Sequence, residues 1–377
     1  MESKVTKITS NGWSLSISLL GNSVAIKPVL QQQILASIAL FGSSFVTNEY
    51  SENFKITVET IPVHRLLDDR GVIYRSAIAL KLAPLWQLPA LDIAHQLAES
   101  MATSIQNTVN ADTGSWEQKV ITRENFQDQS PIPPPVCVDF SIEVFSPGWI
   151  QFRLSDRGLA TWLQQLIQTS PVLPYGEQGN QGAGEQESEG KSQLSWSATG
   201  YKRPYSPRPE MREQSQRTEP VNQAHSLFGV QYAHARCCSL LRLAHRQSLI
   251  KLSGLDSITP NWAWVEPSPI PWLDGGSEME GESIRLRLEH PAERGLITHV
   301  LDGIEQLTQP APARALELAN AVSHGFEKFY SACRIWGEVK TETPQLAQAR
   351  LGLVAITQQL LRSLLQDQLN VTAPIEL

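Results

Sequence analysis

The sequence predicts two folded halves of different class: a mixed α+β domain over residues 1–168 and an all-α helical bundle over residues 225–377, joined by a disordered linker at 169–224. Three observations carry this expectation. The first half mixes alternating apolar patterns with helical ones, the second half holds long helical stripes almost exclusively, and the stretch between them is nearly bare of core-forming side chains. A chain of 377 residues has room for about two or three domains.

In the first half, Trp13 to Ile17 and Ser23 to Ile26 alternate as short strands, and Leu30, Ile34 and Ile38 follow at helical spacing. A period-two run from Lys55 to Val63 reads as a strand. Ser76 to Leu82 and Ala90 to Ile105 read as helices, the second with Leu91, Ala94, Leu97, Met101 and Ile105 on one face, and Pro84 and Pro89 are expected to force the break between them. After the prolines at 131–135 come strand patterns at Val136 to Phe145 and Trp149 to Leu154, with Pro147-Gly148 as the turn, and a helix from Arg157 to Ile167.

Between Ser170 and Ala224, Val172, Leu173, Leu194, Met211 and Val221 are almost the only aliphatic side chains, too few to order the segment. Beyond it, Leu227 to Leu249, Pro291 to Leu307, Ala313 to Cys333 and Leu346 to Leu369 each carry an apolar stripe at three-to-four spacing. Four such helices joined by short turns make a bundle.

Charge and composition exclude several classes. The net charge is -7, with 12 basic and 15 acidic groups in residues 1–168 and 13 and 16 in residues 224–377, so neither half is a basic tail and any nucleic-acid contact must be local. No apolar run approaches the ~20 residues of a membrane span. The opening Met1-Glu2-Ser3-Lys4 leads into a polar segment and not a secretory leader, which predicts a cytoplasmic protein. Cys137, Cys237, Cys238 and Cys333 have no paired zinc spacing, so no metal and no cofactor is expected.

Four ordered blocks then become specific. Phe228 to Arg236 (FGVQYAHAR), Glu289 to Arg294 (EHPAER), Phe329 to Arg334 (FYSACR) and Ala349 to Val354 (ARLGLV) resemble the DALR anticodon-binding bundle of arginyl-tRNA synthetase. In the first half, Ser146 to Leu154 (SPGWIQFRL) and Ile73 to Ala83 (IYRSAIALKLA) resemble that family's N-terminal additional domain, which holds the elbow of the tRNA. The family places a catalytic domain with HIGH-type and KMSKS-type signatures between these flanks. Here only the 169–224 segment stands in that place, and neither signature occurs in the chain. The resemblance therefore implies a non-catalytic paralogue that binds tRNA or a tRNA-like RNA, with no amino-acid activation expected from this chain alone.

The RNA-contact residues that the resemblance implies are Tyr74, Arg75, Tyr232, Arg236, Tyr330 and Arg334. Tyr232 and Arg236 lie one turn apart and suit stacking on a splayed base and gripping a phosphate, or else Tyr232 caps the bundle core and Arg236 pairs with a carboxylate. Arg75 replaces the family's Gln and Ala77 its Asn, so phosphate contact can persist without base readout, unless Arg75 is only a solvated surface residue. The family's Asn after Phe-Tyr is Ser331 here, and its C-terminal Pro-Glu-Arg-Met is Pro374-Ile375-Glu376-Leu377. His234 falls on the apolar stripe and reads as a buried histidine. Trp262, Trp264 and Trp272 sit in a proline-stiffened loop at 260–273, either a surface for a protein partner or a flap folded over the bundle. The alternatives to RNA binding are a protein-interaction module and an accessory subunit working with a separate catalytic chain.

Overall fold

The computed structural model describes residues 13–19, 24–45, 56–66, 71–112, 136–169, 218–255, 262–275, 284–307 and 312–377. In the first half β1 (Trp13–Leu19), α1 (Ile26–Phe45), β2 (Val63–Leu66), β3 (Ile73–Ser76), α2 (Ile78–Trp86), α3 (Ala90–Asp112), β4 (Val136–Phe145), β5 (Trp149–Leu154) and α4 (Asp156–Gln168) follow in order. The five strands form one antiparallel sheet in the order β1-β4-β5-β3-β2. Helix α3 packs Ile93, Ala94, Leu97, Ala98 and Met101 inward, while Trp162 of α4 is fully buried and donates its indole N–H to the Val24 carbonyl at 2.8 Å. At the β4–β5 turn Gly148 has φ +151, and an added Cβ would fall 2.8 Å from that of Ala90, so only glycine lets the turn close on the start of α3.

The second half holds α5 (Thr218–Arg246), the short strands β6 (Lys251–Ser253), β7 (Ala263–Glu266), β8 (Leu273–Asp274) and β9 (Arg285–Leu286), then α6 (Pro291–Leu307), α7 (Pro312–Ala332), α8 (Glu338–Glu342) and α9 (Pro344–Ser363). A π-helical turn at Leu364–Gln368 extends α9. The stripes behave as their spacing requires. Val230, Cys237 and Leu241 of α5, Leu296, Val300 and Ile304 of α6, Val322, Phe326 and Phe329 of α7, and Leu353, Ile356 and Leu360 of α9 are all buried.

Several expected elements differ. Val24 and Ala25 lead into α1 and form no strand, because a run of four residues such as Ser23 to Ile26 cannot distinguish a strand from a helix start. The run expected as a strand up to Val63 makes a 3₁₀ turn at Val58–Thr60, held by the Thr60 hydroxyl, which accepts from Thr57 N and donates to Thr57 O; the strand starts only after Pro62. Ser76 ends β3 and does not open a helix. Pro84 lies inside α2, and the break falls instead at Gln87, whose φ is 53. Helix α5 begins at Thr218, inside the expected linker, with Pro220 in its first turn, where no N–H is required. The remainder of the expected linker, 170–217, lies outside the described residues.

The two halves pack directly on each other. The Asp156 carboxylate of α4 accepts from Leu286 N at 3.1 Å and from both terminal nitrogens of Arg294. The Gln164 side-chain oxygen accepts from Ile270 N at 3.0 Å and from the Trp272 indole at 3.1 Å. Trp272 is wedged so closely on α9 that a Cβ on Gly352 would lie 2.5 Å from its ring.

Candidate nucleic-acid interface

Three of the four sequence blocks meet inside the bundle. Glu293, buried at the start of α6, accepts from His290 N at 2.9 Å through one oxygen and from Arg350 Nε of α9 at 2.6 Å through the other. Arg350 also donates to the Arg334 carbonyl at 2.5 Å. A buried arginine–carboxylate pair that is further hydrogen-bonded in this way fixes how α6, α9 and the end of α7 meet. These blocks therefore position the bundle, and what they leave on its surface is a separate matter.

On that surface Phe228, Tyr232 and Arg236 recur every fourth residue of α5 and line one stripe. Phe228 is 58% exposed and Tyr232 50%, large aromatic areas for a protein surface. Across from them Tyr330 of α7 is 36% exposed, accepts a hydrogen bond from Arg236 Nη2 through its hydroxyl, and lies with its ring centroid 4.9 Å from the guanidinium carbon. Tyr330 is stacked on the buried Phe326 at 6.1 Å between centroids, which holds its ring in place. Arg334 is exposed four residues further on. Among the described residues Arg236 thus pairs with a tyrosine and with no carboxylate. Such a surface offers π-faces and a cation to a single-stranded nucleic acid.

His234 points the other way. Its Nδ1–H donates to the Pro374 carbonyl at 2.8 Å and its Nε2 accepts from the Gln358 amide at 2.9 Å. Burial pushes its pKa down to about 4, against a smaller upward pull from the Pro374 carbonyl. The bond to Pro374, with Gln231 Nε2 to Thr372 O and Arg242 to Glu376, ties the final residues along α5.

In the first half the expected pair is split. Tyr74 and Arg75 are adjacent in β3, so they face opposite sides of the sheet. Tyr74 is fully buried and donates its hydroxyl to Glu305 of α6, while its cross-strand neighbour Arg65 bonds Asp302 and the Thr298 carbonyl on the same helix face. Burial raises both the Tyr74 and Glu305 pKa values, Tyr74 further because the Glu305 charge sits beside it. Tyr74 therefore has no face open to a base, which corrects its expected role: strand alternation aims it at the bundle. Arg75 remains half-exposed, donating to Gln151 at 3.1 Å and lying 5.7 Å from the Trp149 ring centroid.

Of the two readings of the tryptophan loop, the structure follows the flap and not the open partner surface at Trp272. β6 pairs with β7 and β8 with β9, and among the described rings Trp272 turns inward while Trp262 and Trp264 are part-buried and Pro269 stays exposed. Trp272 is 2% exposed, Trp264 donates to the Pro267 carbonyl at 2.9 Å, and Trp262 packs half-buried against the core under Arg242. Of the three rings, Trp272 joins the two halves through Gln164, while Trp262 and Trp264 meet Arg242 and Pro267 within the second half. Sequence reasoning missed the latch residues Arg65, Asp156, Gln164, Asp302 and Glu305, which are ordinary polar positions without a motif.

Among the described residues no group of His, Cys, Asp and Glu could hold a metal ion, and no helix is long and apolar enough to cross a membrane. The C-terminal part of this fold is a DALR anticodon binding domain, the family's model matching residues 274–377; α5 precedes that stretch and packs against its helices α7 and α9. The chain is similar to arginine–tRNA ligases. It is 32% identical over 149 residues to that of Synechococcus sp. (strain JA-3-3Ab), covering 38% of this chain and 21% of the relative. It is 33% identical over 148 residues to that of Ruminiclostridium cellulolyticum, covering 39% and 22%, and 31% identical over 169 residues to that of Pelodictyon phaeoclathratiforme, covering 44% and 24%. The chain thus spans about a fifth to a quarter of the length of these relatives. No solved structure matches it significantly.

Proposed function

We propose that this chain binds tRNA or a tRNA-like RNA through the outer face of α5 and α7 and does not activate an amino acid on its own. The observation that carries the reading is the exposed stripe of Phe228, Tyr232 and Arg236 facing Tyr330, on a bundle whose C-terminal part is an anticodon binding domain. Tyr232 and Tyr330 would stack on unpaired bases, and Arg236 and Arg334 would take the phosphates or base edges between them. The scarcity of apolar residues between 170 and 217 supports the non-catalytic half of the reading, since a nucleotide-holding parallel sheet needs strands rich in them. We further take 1–168 as a domain like the N-terminal additional domain, with Arg75 as its remaining RNA contact, and take the bundle to begin at the start of α5.

Filter binding of the full chain tests this at moderate salt, comparing unfractionated tRNA with an unrelated folded RNA of equal length. The tRNA is expected to bind more tightly, and Tyr232→Ala to weaken it about tenfold, the loss of one stacked base. Equal affinity for both RNAs would remove the proposal. ATP–pyrophosphate exchange with arginine is expected to stay at background unless a catalytic chain is added.

A further inference from the structure

At the C-terminal end of α5 a cavity of about 330 Å³ is lined by Ser239, Arg242, His245, Arg246, Leu255 and Glu376. Its polar groups are mostly donors. Arg242 donates to Glu376 at 2.5 Å and rests 6.0 Å from the centroid of the Trp262 ring, whose own Nε1 is buried without an acceptor. Arg246 is exposed and has no ion-pair partner among the described residues. His245 Nδ1 accepts from Leu252 N at 3.1 Å, so the neutral ring carries its proton on Nε2 as a further donor. The carboxylate in the lining, Glu376, belongs to a side chain 74% exposed, and an ion pair that open is weak and screened by salt.

We infer that this cavity is a phosphate subsite, taking a backbone phosphodiester of the RNA whose bases lie on Phe228 and Tyr232, with Glu376 as the carboxylate it displaces. The inference rests on the RNA-binding reading above. From Tyr232 to Arg242 the helix climbs about 15 Å at ~1.5 Å per residue, a distance that a few nucleotides cover. Two arginines and a histidine lining one cavity suit an anion that accepts from several directions, as phosphate does. The negative end of the α5 dipole lies here as well and opposes a free anion. Free phosphate is therefore held weakly, whereas a phosphodiester delivered by an RNA already docked on the aromatic stripe enters at high effective concentration.

The test uses the full chain in two arms. In the first, tRNA affinity is measured against salt for the wild type, for Arg242→Gln with Arg246→Gln, and for Glu376→Gln. The double variant is expected to lower the log–log slope by about 0.7 for each phosphate it no longer neutralises, and Glu376→Gln to tighten binding about threefold. Tyr232→Ala is expected to weaken binding at unchanged slope. In the second arm, inorganic phosphate is titrated while the His245 ring resonances are followed, with a saturable shift expected in the wild type and none in the double variant. An unchanged slope in the double variant overturns the inference. With a saturable phosphate shift beside that unchanged slope, the cavity serves free phosphate instead. If the wild type shows no preference for tRNA, the RNA-binding reading has failed and the phosphodiester assignment falls with it, while the phosphate arm alone decides whether the cavity holds an anion.

Discussion

The inner face of β3 and the outer face of α5 each present a tyrosine beside a basic residue, and they differ in what lies over them. On β3, Tyr74 and the neighbouring Arg65 meet Glu305, Asp302 and the Thr298 carbonyl of α6, and all of Tyr74 is buried. On α5, Tyr232 is half exposed and Arg236 meets the Tyr330 hydroxyl and ring. The same residue types thus do opposite work: the first pair closes one half of the molecule on the other, and the second stays open to a ligand. A motif residue keeps a binding role only where its element leaves a face uncovered.

The largest effect should come from breaking the closed side. Tyr74→Ala removes a fully buried ring and takes the tyrosine hydroxyl from Glu305, so a loss of about 3–5 kcal/mol is expected in urea unfolding. Tyr74→Phe, which removes only the hydroxyl, should cost about 1 kcal/mol. If Tyr74 were instead an RNA contact, Tyr74→Phe would weaken tRNA binding at unchanged stability.

The bundle that carries the open side should weaken in acid. His234 is held neutral, with its folded pKa about 4 against 6.5 unfolded, so the unfolded chain binds the extra proton. Its contribution is present above pH 6.5 and is lost as pH falls through about 4, a change of roughly 3 kcal/mol at most. Unfolding midpoints measured from about pH 7 down to about pH 4 should fall for the wild type, and less steeply for His234→Gln.

Gly352→Ala sharpens the comparison at smaller cost. The added methyl would press on Trp272, which clasps Gln164 of the first half, so about 1–3 kcal/mol of destabilisation is expected from overpacking. Proteolysis of the full chain should then be faster, while tRNA affinity is expected to stay unchanged.

Much of this could be read from the residues themselves. The stripe at Leu296, Val300, Ile304 and Leu307 and the strands Val136–Phe145 and Trp149–Leu154 follow from spacing alone, because one-sided burial imposes its period on the sequence. On α5 the spacing put Tyr232 and Arg236 on one face, but not whether that face stays exposed. The closure of the two halves was not legible. It depends on Gln164, Asp156 and Arg65 meeting partners more than 100 residues away, and single polar residues carry no periodic signal of such a partner. The inward turn of Tyr74 was hidden for the same reason: alternation says that Tyr74 and Arg75 part company, but not which side α6 covers.

The contrast between the two tyrosine sites is tested most directly by ¹⁹F NMR of the full chain labelled with 3-fluorotyrosine, each resonance assigned by substitution, during titration with tRNA. The Tyr232 and Tyr330 signals are expected to shift and saturate together while the Tyr74 signal stays in place. A Tyr74 signal that moves while Tyr232 and Tyr330 remain unchanged would contradict the account.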